Sequence, residues 1–161
     1  MVQLTNALRE MIMLKLKTAL LAVLSNLSFK NFKKNQLHLL LALDLIMQGL
    51  NLINAEHFFF FPPEPPIILS ILNSDVVGGF GVIVGLLIVA WSAQTKASVK
   101  TNRWLIVSAG CFFGFVFGVE LMHLTFANAG PVMASSLIGD FVMVLLTIYV
   151  AFKSNTLDDD Y

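Results

Sequence analysis

The chain has 161 residues, 57% of them hydrophobic and 12% charged, and its formal net charge is zero. Soluble domains carry roughly a quarter charged residues, so this composition excludes an ordinary water-soluble globule. A nucleic-acid-binding module would need a basic patch outside the apolar runs, and the balance offers none. Fourteen Phe and a mean hydropathy of +0.81 point instead to a lipid-facing surface.

The first 35 residues differ from the rest. Thr18–Leu24 is apolar but too short to cross a bilayer, with Lys15 and Lys17 before it and Lys30, Lys33 and Lys34 after it. A secretory signal is disfavoured, because Glu10 sits in the would-be basic region and no small-x-small cleavage pattern follows Leu24. The stretch reads as an amphipathic helix on the inner membrane surface, with Leu4, Leu8, Met11 and Leu14 in the acyl boundary. The other reading is a cytoplasmic helix packed on the bundle or on a partner.

Four later runs reach the roughly 20 apolar residues that a membrane span needs: about Gln36–Ala55, Ile67–Ala93, Trp104–Ala127 and Val132–Phe152. Pro62, Pro63, Pro65 and Pro66 precede the second run and Pro131 precedes the fourth, where a missing N–H is harmless in a first helical turn. The expected fold is an all-α membrane protein, a four-helix transmembrane bundle with an N-terminal interfacial helix. Its segments are residues 1–35, 36–152 and an acidic cytoplasmic tail 153–161 that carries Asp158–Asp160.

Charge orients the bundle. Arg9, Lys15, Lys17, Lys30, Lys33 and Lys34 precede span one, Lys96, Lys100 and Arg103 lie between spans two and three, and Lys153 follows span four. The two remaining loops contain no Lys or Arg. All ten basic residues thus fall on one side, which the positive-inside rule assigns to the cytoplasm. The expected location is the cell membrane with both termini cytoplasmic.

An ionisable side chain at mid-bilayer costs at least about 2.5–3.5 kcal/mol, and such residues usually face a bundle interior or water. Four carboxyls sit at that depth, namely Asp44, Asp75, Glu120 and Asp140, with His123 nearby and no Lys or Arg among them. Gln48 and Asn51 follow Asp44 at i+4 and i+7 on one helical face. At 1.5 Å per residue all four acids map between the midplane and the outer surface. Asp44, Gln48, Asn51, Asp75, Glu120, His123 and Asp140 are therefore the candidate ligand or ion site. The alternative is that they are interhelical hydrogen-bonding glue.

Glu120 and His123 share a face at i, i+3 spacing. This suits an acid–base pair, whereas two ligands are too few for a metal site. His38 and His57 lie near span ends as interfacial residues. Cys111 has no cysteine to pair with, and no Cys/His metal spacing or catalytic signature occurs. No motif names a cofactor.

Gly110, Gly114 and Gly118 in span three, and Gly81 and Gly85 after Gly78–Gly79 in span two, form small-residue faces for close helix packing. They are expected to join spans two and three, with a homo-oligomer seam as the other use. Pro66-x3-Ser70-x4-Asp75 matches Pro131-x3-Ser135-x4-Asp140, so two duplicated hairpins would set Asp75 opposite Asp140. Phe58–Phe61 and the PPEPP loop read as an interfacial aromatic anchor, with a short lid over the cavity as the alternative.

The acid cluster favours a cation- or proton-linked channel or small-solute transporter in the bilayer, with a homo-oligomer as its expected state. A non-catalytic accessory subunit of a larger membrane complex is the second expectation. A membrane enzyme acting on a lipid or quinone is the third.

Overall fold

The computed structural model describes residues 29–55, 58–60, 66–94, 98–127 and 130–155. The interfacial N-terminal helix, His57, the PPEPP turn up to Pro65 and the Asp158–Asp160 tail fall outside the described residues. Within them the regular structure is helical, with no strand. The helices are α1 (Phe29–Lys34), α2 (Gln36–Asn54), α3 (Pro66–Leu72), α4 (Asp75–Ala93), α5 (Val99–Phe126) and α6 (Pro131–Asn155).

Four helical stretches are long and apolar enough to cross a membrane: Gln36–Asn54, Leu69–Ala93, Val99–Phe126 and Met133–Ser154. The protein is membrane-embedded and all-α. An apolar solvent explains its surface, because large side chains such as Leu43, Met47, Ile83, Leu86, Ile138 and Phe141 stand exposed along the spans. The sequence pattern places the spans within a few residues. Only the third extends clearly further, its first turns carrying Lys100 and Arg103.

The second span is not one continuous helix. The polar run Asn73-Ser74-Asp75 interrupts it, with Ser74 extended at the cap position (φ −77°, ψ 148°) and Asp75 in the first turn of α4. Serine before a helix and a carboxylate in its first turn both favour a new N-terminus. The Ser74 hydroxyl donates to the Ile71 carbonyl at 2.6 Å, satisfying the end of α3.

The helices form an up-down ring. The α2–α4 contact is by far the most extensive, α5–α6 comes second, α4–α5 third, and α2 meets α6 only thinly. The first contact is backbone to backbone. A Cβ on Gly49 would lie 2.6 Å from the Gly78 carbonyl oxygen, and one on Gly85 would lie 2.8 Å from that of Ala42. Gly49 faces Gly78 and Ala42 faces Gly85, one heptad apart on each antiparallel helix. Gly81 in between meets the Phe112 ring of α5 and the Leu45 carbonyl.

The expected glycine seam between spans two and three is met only in part: Gly81 lies closest to Phe112 of span three, with the Leu45 carbonyl of span one next, whereas Gly85 packs on Ala42 and Ile46 of span one. On α5, a Cβ at Gly110 would make only ordinary contact with Thr147, and at Gly114 and Gly118 it would meet nothing. The inward face of α5 is instead its large side chains, Leu105, Ile106, Phe112, Phe113, Val116 and Val119.

At one end the basic residues gather: Lys33 and Lys34 beside Lys153, with Lys100 and Arg103 at the start of α5. Polar side chains close the backbone there. Asn35 donates to the Ser92 carbonyl at 3.1 Å, and the Trp91 indole donates to the Ser98 carbonyl at 2.9 Å. The two glycine environments make opposite predictions. Gly49→Ala drives a methyl into backbone and costs about 1–3 kcal/mol, whereas Gly114→Ala is neutral or gains up to about 1 kcal/mol of helix propensity. Thermal unfolding in detergent micelles measures both.

Candidate functional site

The heptad contact with α4 fixes the rotation of α2. At 100° per residue, Asp44, Gln48 and Asn51 then lie about 110–170° around the helix from the Ala42–Gly49 face, directed toward α5 and α6. On α6, Ser136, Asp140, Met143, Thr147 and Val150 recur at three- and four-residue spacing and form its inward stripe. On α5, Glu120 continues the buried face. The site lies where these three faces meet.

A single amide links the helices. Gln48 Nε2 donates to Asp44 Oδ2 at 3.0 Å and to Asp140 Oδ1 at 2.7 Å. Both N–H groups of that amide therefore serve carboxyls, one within α2 and one across on α6. Asp140 and Glu120 line the same cleft. Ser136 donates its hydroxyl to Glu120 Oε1 at 2.8 Å. Glu120 and Asp140 are 1% and 3% exposed, while Asp44 and Gln48 are half-buried.

A cleft of about 90 Å³ adjoins this chain of groups, lined by Gln48, Asn51, Leu52, Phe58, Val116, Glu120, Ser136 and Asp140. At roughly 30 Å³ of liquid per molecule, it holds about three waters. Three oxygens of its lining residues, Gln48 Oε1, Glu120 Oε2 and Asp140 Oδ2, are buried without a hydrogen-bond donor. The cleft is rich in acceptors and poor in donors. Proton-bearing or cationic species fit it, and anions do not. Among the described residues no cluster of His, Cys, Asp or Glu has the geometry to hold a metal ion.

Residues 58–60 close the end of the cleft away from the lysines. Asn73, at the break before α4, accepts from the Phe59 N–H at 2.9 Å and donates to the Phe59 carbonyl at 2.8 Å. It stands in for a neighbouring strand. Phe59 is buried against Phe115, and Phe58 reaches the cleft wall. Phe60 stacks on His123 with ring centroids 4.2 Å apart, and its N–H donates to His123 Nε2 at 3.2 Å. Of this lid segment, Phe58 lines the cleft, Phe59 is buried and Phe60 is exposed.

Of the seven candidate residues, Asp44, Gln48, Asn51, Glu120 and Asp140 converge. His123 and Asp75 do not join them. His123 is wholly buried one turn beyond Glu120, and its Nε2 accepts from the lid, a role that requires a neutral imidazole. The hydrogen bonds at these two residues run from the Ser136 hydroxyl to Glu120 and from the Phe60 N–H to His123. Asp75 is exposed at the start of α4. It does not face Asp140, which is buried ten residues into an unbroken α6. The matched Pro-x3-Ser-x4-Asp spacing fails as a structural repeat because Asn73 and Ser74 break one copy.

Ser136 and Asn73 are absent from the sequence candidates. Ser136 lies four residues before Asp140, so its place on the same stripe was readable. Asn73 acts on a loop fourteen residues away, and nothing in the local pattern signals that. Comparison with protein-family models, with curated proteins and with solved structures finds no match.

Asn73→Ala removes both hydrogen bonds that pin Phe59 and frees the lid, at a cost of about 1–3 kcal/mol. In a Cys111→Ser background, a cysteine placed at Phe58 is expected to react several-fold faster with a water-soluble maleimide once Asn73 is replaced. An unchanged rate would show that packing alone holds the lid.

Proposed function

We propose that the chain is a small membrane transport protein that binds a proton or a small cation at the Asp44–Gln48–Asp140–Glu120 centre. What supports this reading most is the set of three buried acceptor oxygens without donors, beside a cleft that, among the described residues, no Lys or Arg lines. Structural glue between helices normally pairs each donor with an acceptor, and here the acceptors are in excess. With the lysine-bearing end in the cytoplasm, as the positive-inside rule has it, the cleft opens to the outside.

The route inward is closed in this conformation. Leu41, Ile88, Ile106, Ala109, Phe113 and Val150 form a buried apolar layer between the carboxyls and the basic end. Passage therefore requires a rearrangement, and the thin α2–α6 contact is where the ring yields most cheaply. Gln48 bridges that contact, so a change in the carboxyls' proton content alters a bond that holds the two helices together.

A second reading, an accessory subunit of a larger membrane complex, draws support from Gly114 and Gly118. These leave room for another helix against α5. Purification in mild detergent separates the two, since a homogeneous assembly of this chain alone argues against the subunit reading.

The transport reading is tested in proteoliposomes carrying an internal pH-sensitive dye. The wild-type chain is expected to dissipate an imposed gradient. Asp140→Asn and Glu120→Gln are expected to lower the rate about tenfold or more, since a hydrogen bond to a charged group is worth about 1.5–3 kcal/mol. Asp75→Asn is expected to leave the rate unchanged. Equal rates in all variants and in empty vesicles, with either protons or small monovalent cations as the gradient, would remove the proposal.

A further inference from the structure

Each buried carboxyl of the centre has one oxygen that accepts a hydrogen bond and one that meets no donor. Asp140 Oδ1 accepts from the Gln48 amide at 2.7 Å, and Glu120 Oε1 accepts from the Ser136 hydroxyl at 2.8 Å. Asp140 Oδ2 and Glu120 Oε2 are buried without a donor. An acceptor left so in a low-dielectric interior is costly, and more costly when it is charged. Whatever binds here has to satisfy those oxygens.

The two acids differ in what holds them. Gln48 Nε2 can only donate, and it serves Asp44 Oδ2 and Asp140 Oδ1. An oxygen that faces an N–H keeps its lone pair, so a proton on Asp140 belongs on Oδ2. The Ser136 hydroxyl can donate or accept, so the two oxygens of Glu120 are not told apart in this way. Asp140 is the carboxyl whose oxygens have separate roles, one as anchor and one as acceptor.

Space then selects among cations. A metal ion gives up its water only to a cage of several oxygens. The unmet oxygens here are closed to solvent, and among the described residues no group of His, Cys, Asp or Glu could hold a metal ion. A proton needs one lone pair and no cavity. The cleft that Asp140 and Glu120 line has room for about three waters, enough to bring a hydronium alongside.

We propose that the ion taken up by this centre is a proton, with Asp140 Oδ2 as the receiving atom and Gln48 as the residue that positions it. The inference rests on the transport reading above and narrows it to one substrate. In the step, a hydronium in the cleft gives its proton to Oδ2 and leaves as water. The new O–H bond turns an acceptor without a donor into a donor. The titratable groups around Asp140 are Asp44 on α2 and Glu120 on α5. Among the described residues α4 adds none, since its Asp75 is exposed.

Infrared difference spectroscopy of the full chain in lipid tests this, because a protonated carboxyl has its own C=O stretching band. Between alkaline and acidic buffer the wild type is expected to gain such a band. Asp140→Asn is expected to lose one component of it, and Asp75→Asn to keep that component. Gln48→Leu is expected to move the Asp140 component to higher frequency, because Oδ1 is then the carbonyl oxygen and has lost its hydrogen bond. Excess sodium or potassium chloride at constant pH is expected to leave the band in place, against choline chloride at equal ionic strength. Circular dichroism checks that each variant retains its helices.

Loss of the band on adding sodium or potassium means that a cation displaces the proton. That overturns the inference and leaves the cation form of the transport reading standing. The absence of an Asp140 component across the pH range in which the helices persist overturns it as well. An unshifted component in Gln48→Leu overturns the positioning role. A titrating Asp140 component in a chain that dissipates no gradient in proteoliposomes supports the proton site and removes transport instead.

Discussion

The close approach of α2 and α4 at Gly49–Gly78 and Ala42–Gly85 governs the rest of the architecture. In a bilayer, helices gain little from burying one apolar side chain against another, because lipid is as apolar as leucine. Close backbone contact and dense van der Waals packing take over that role. With one heptad of small residues on each helix, α2 cannot rotate without a clash between main chains. Its remaining surface is then divided: Leu40, Leu43, Met47 and Leu50 toward lipid, and Asp44, Gln48 and Asn51 toward the other half of the bundle.

That division explains how four spans with so little polar content hold a hydrogen-bonded centre. Carboxyls are costly in hydrocarbon, and the chain places three of them where each can reach another polar group. Gln48 connects two, Ser136 serves the third, and the excess of acceptors is left at a small cleft. The thin α2–α6 side of the ring leaves room for that cleft.

The two ends of the molecule are built differently. At the basic end, Asn35, Trp91 and Ser98 tie main-chain groups across the loop, and the lysines project around a second cleft. At the other end, a three-residue strap is fastened by Asn73 and His123 through main-chain hydrogen bonds. Both ends follow one requirement: a helix terminus or loop near hydrocarbon must find partners for its backbone N–H and C=O groups within the protein. The lid and the basic cleft are consequences of meeting that requirement with polar side chains at fixed places.

The sequence alone was enough for the number of spans, their approximate limits and the gathering of charge at one end. These depend on composition over windows of about twenty residues, which the bilayer thickness makes decisive. It also gave the Asp44–Gln48–Asn51 face, because helical periodicity is local. The partners across helices were decided by the tertiary structure. Asp140 met Gln48 and Glu120 met Ser136 because the rotation of each helix is set by its contacts, above all Gly49 on Gly78. Asp75 left the site because three polar residues broke a helix that hydropathy read as continuous. His123 turned to the lid because the loop's backbone needed an acceptor. The acidic centre foreseen in the outer half of the bundle is therefore smaller than four acids and a histidine. It is three carboxyls and two amides, positioned by glycines that carry no chemistry of their own.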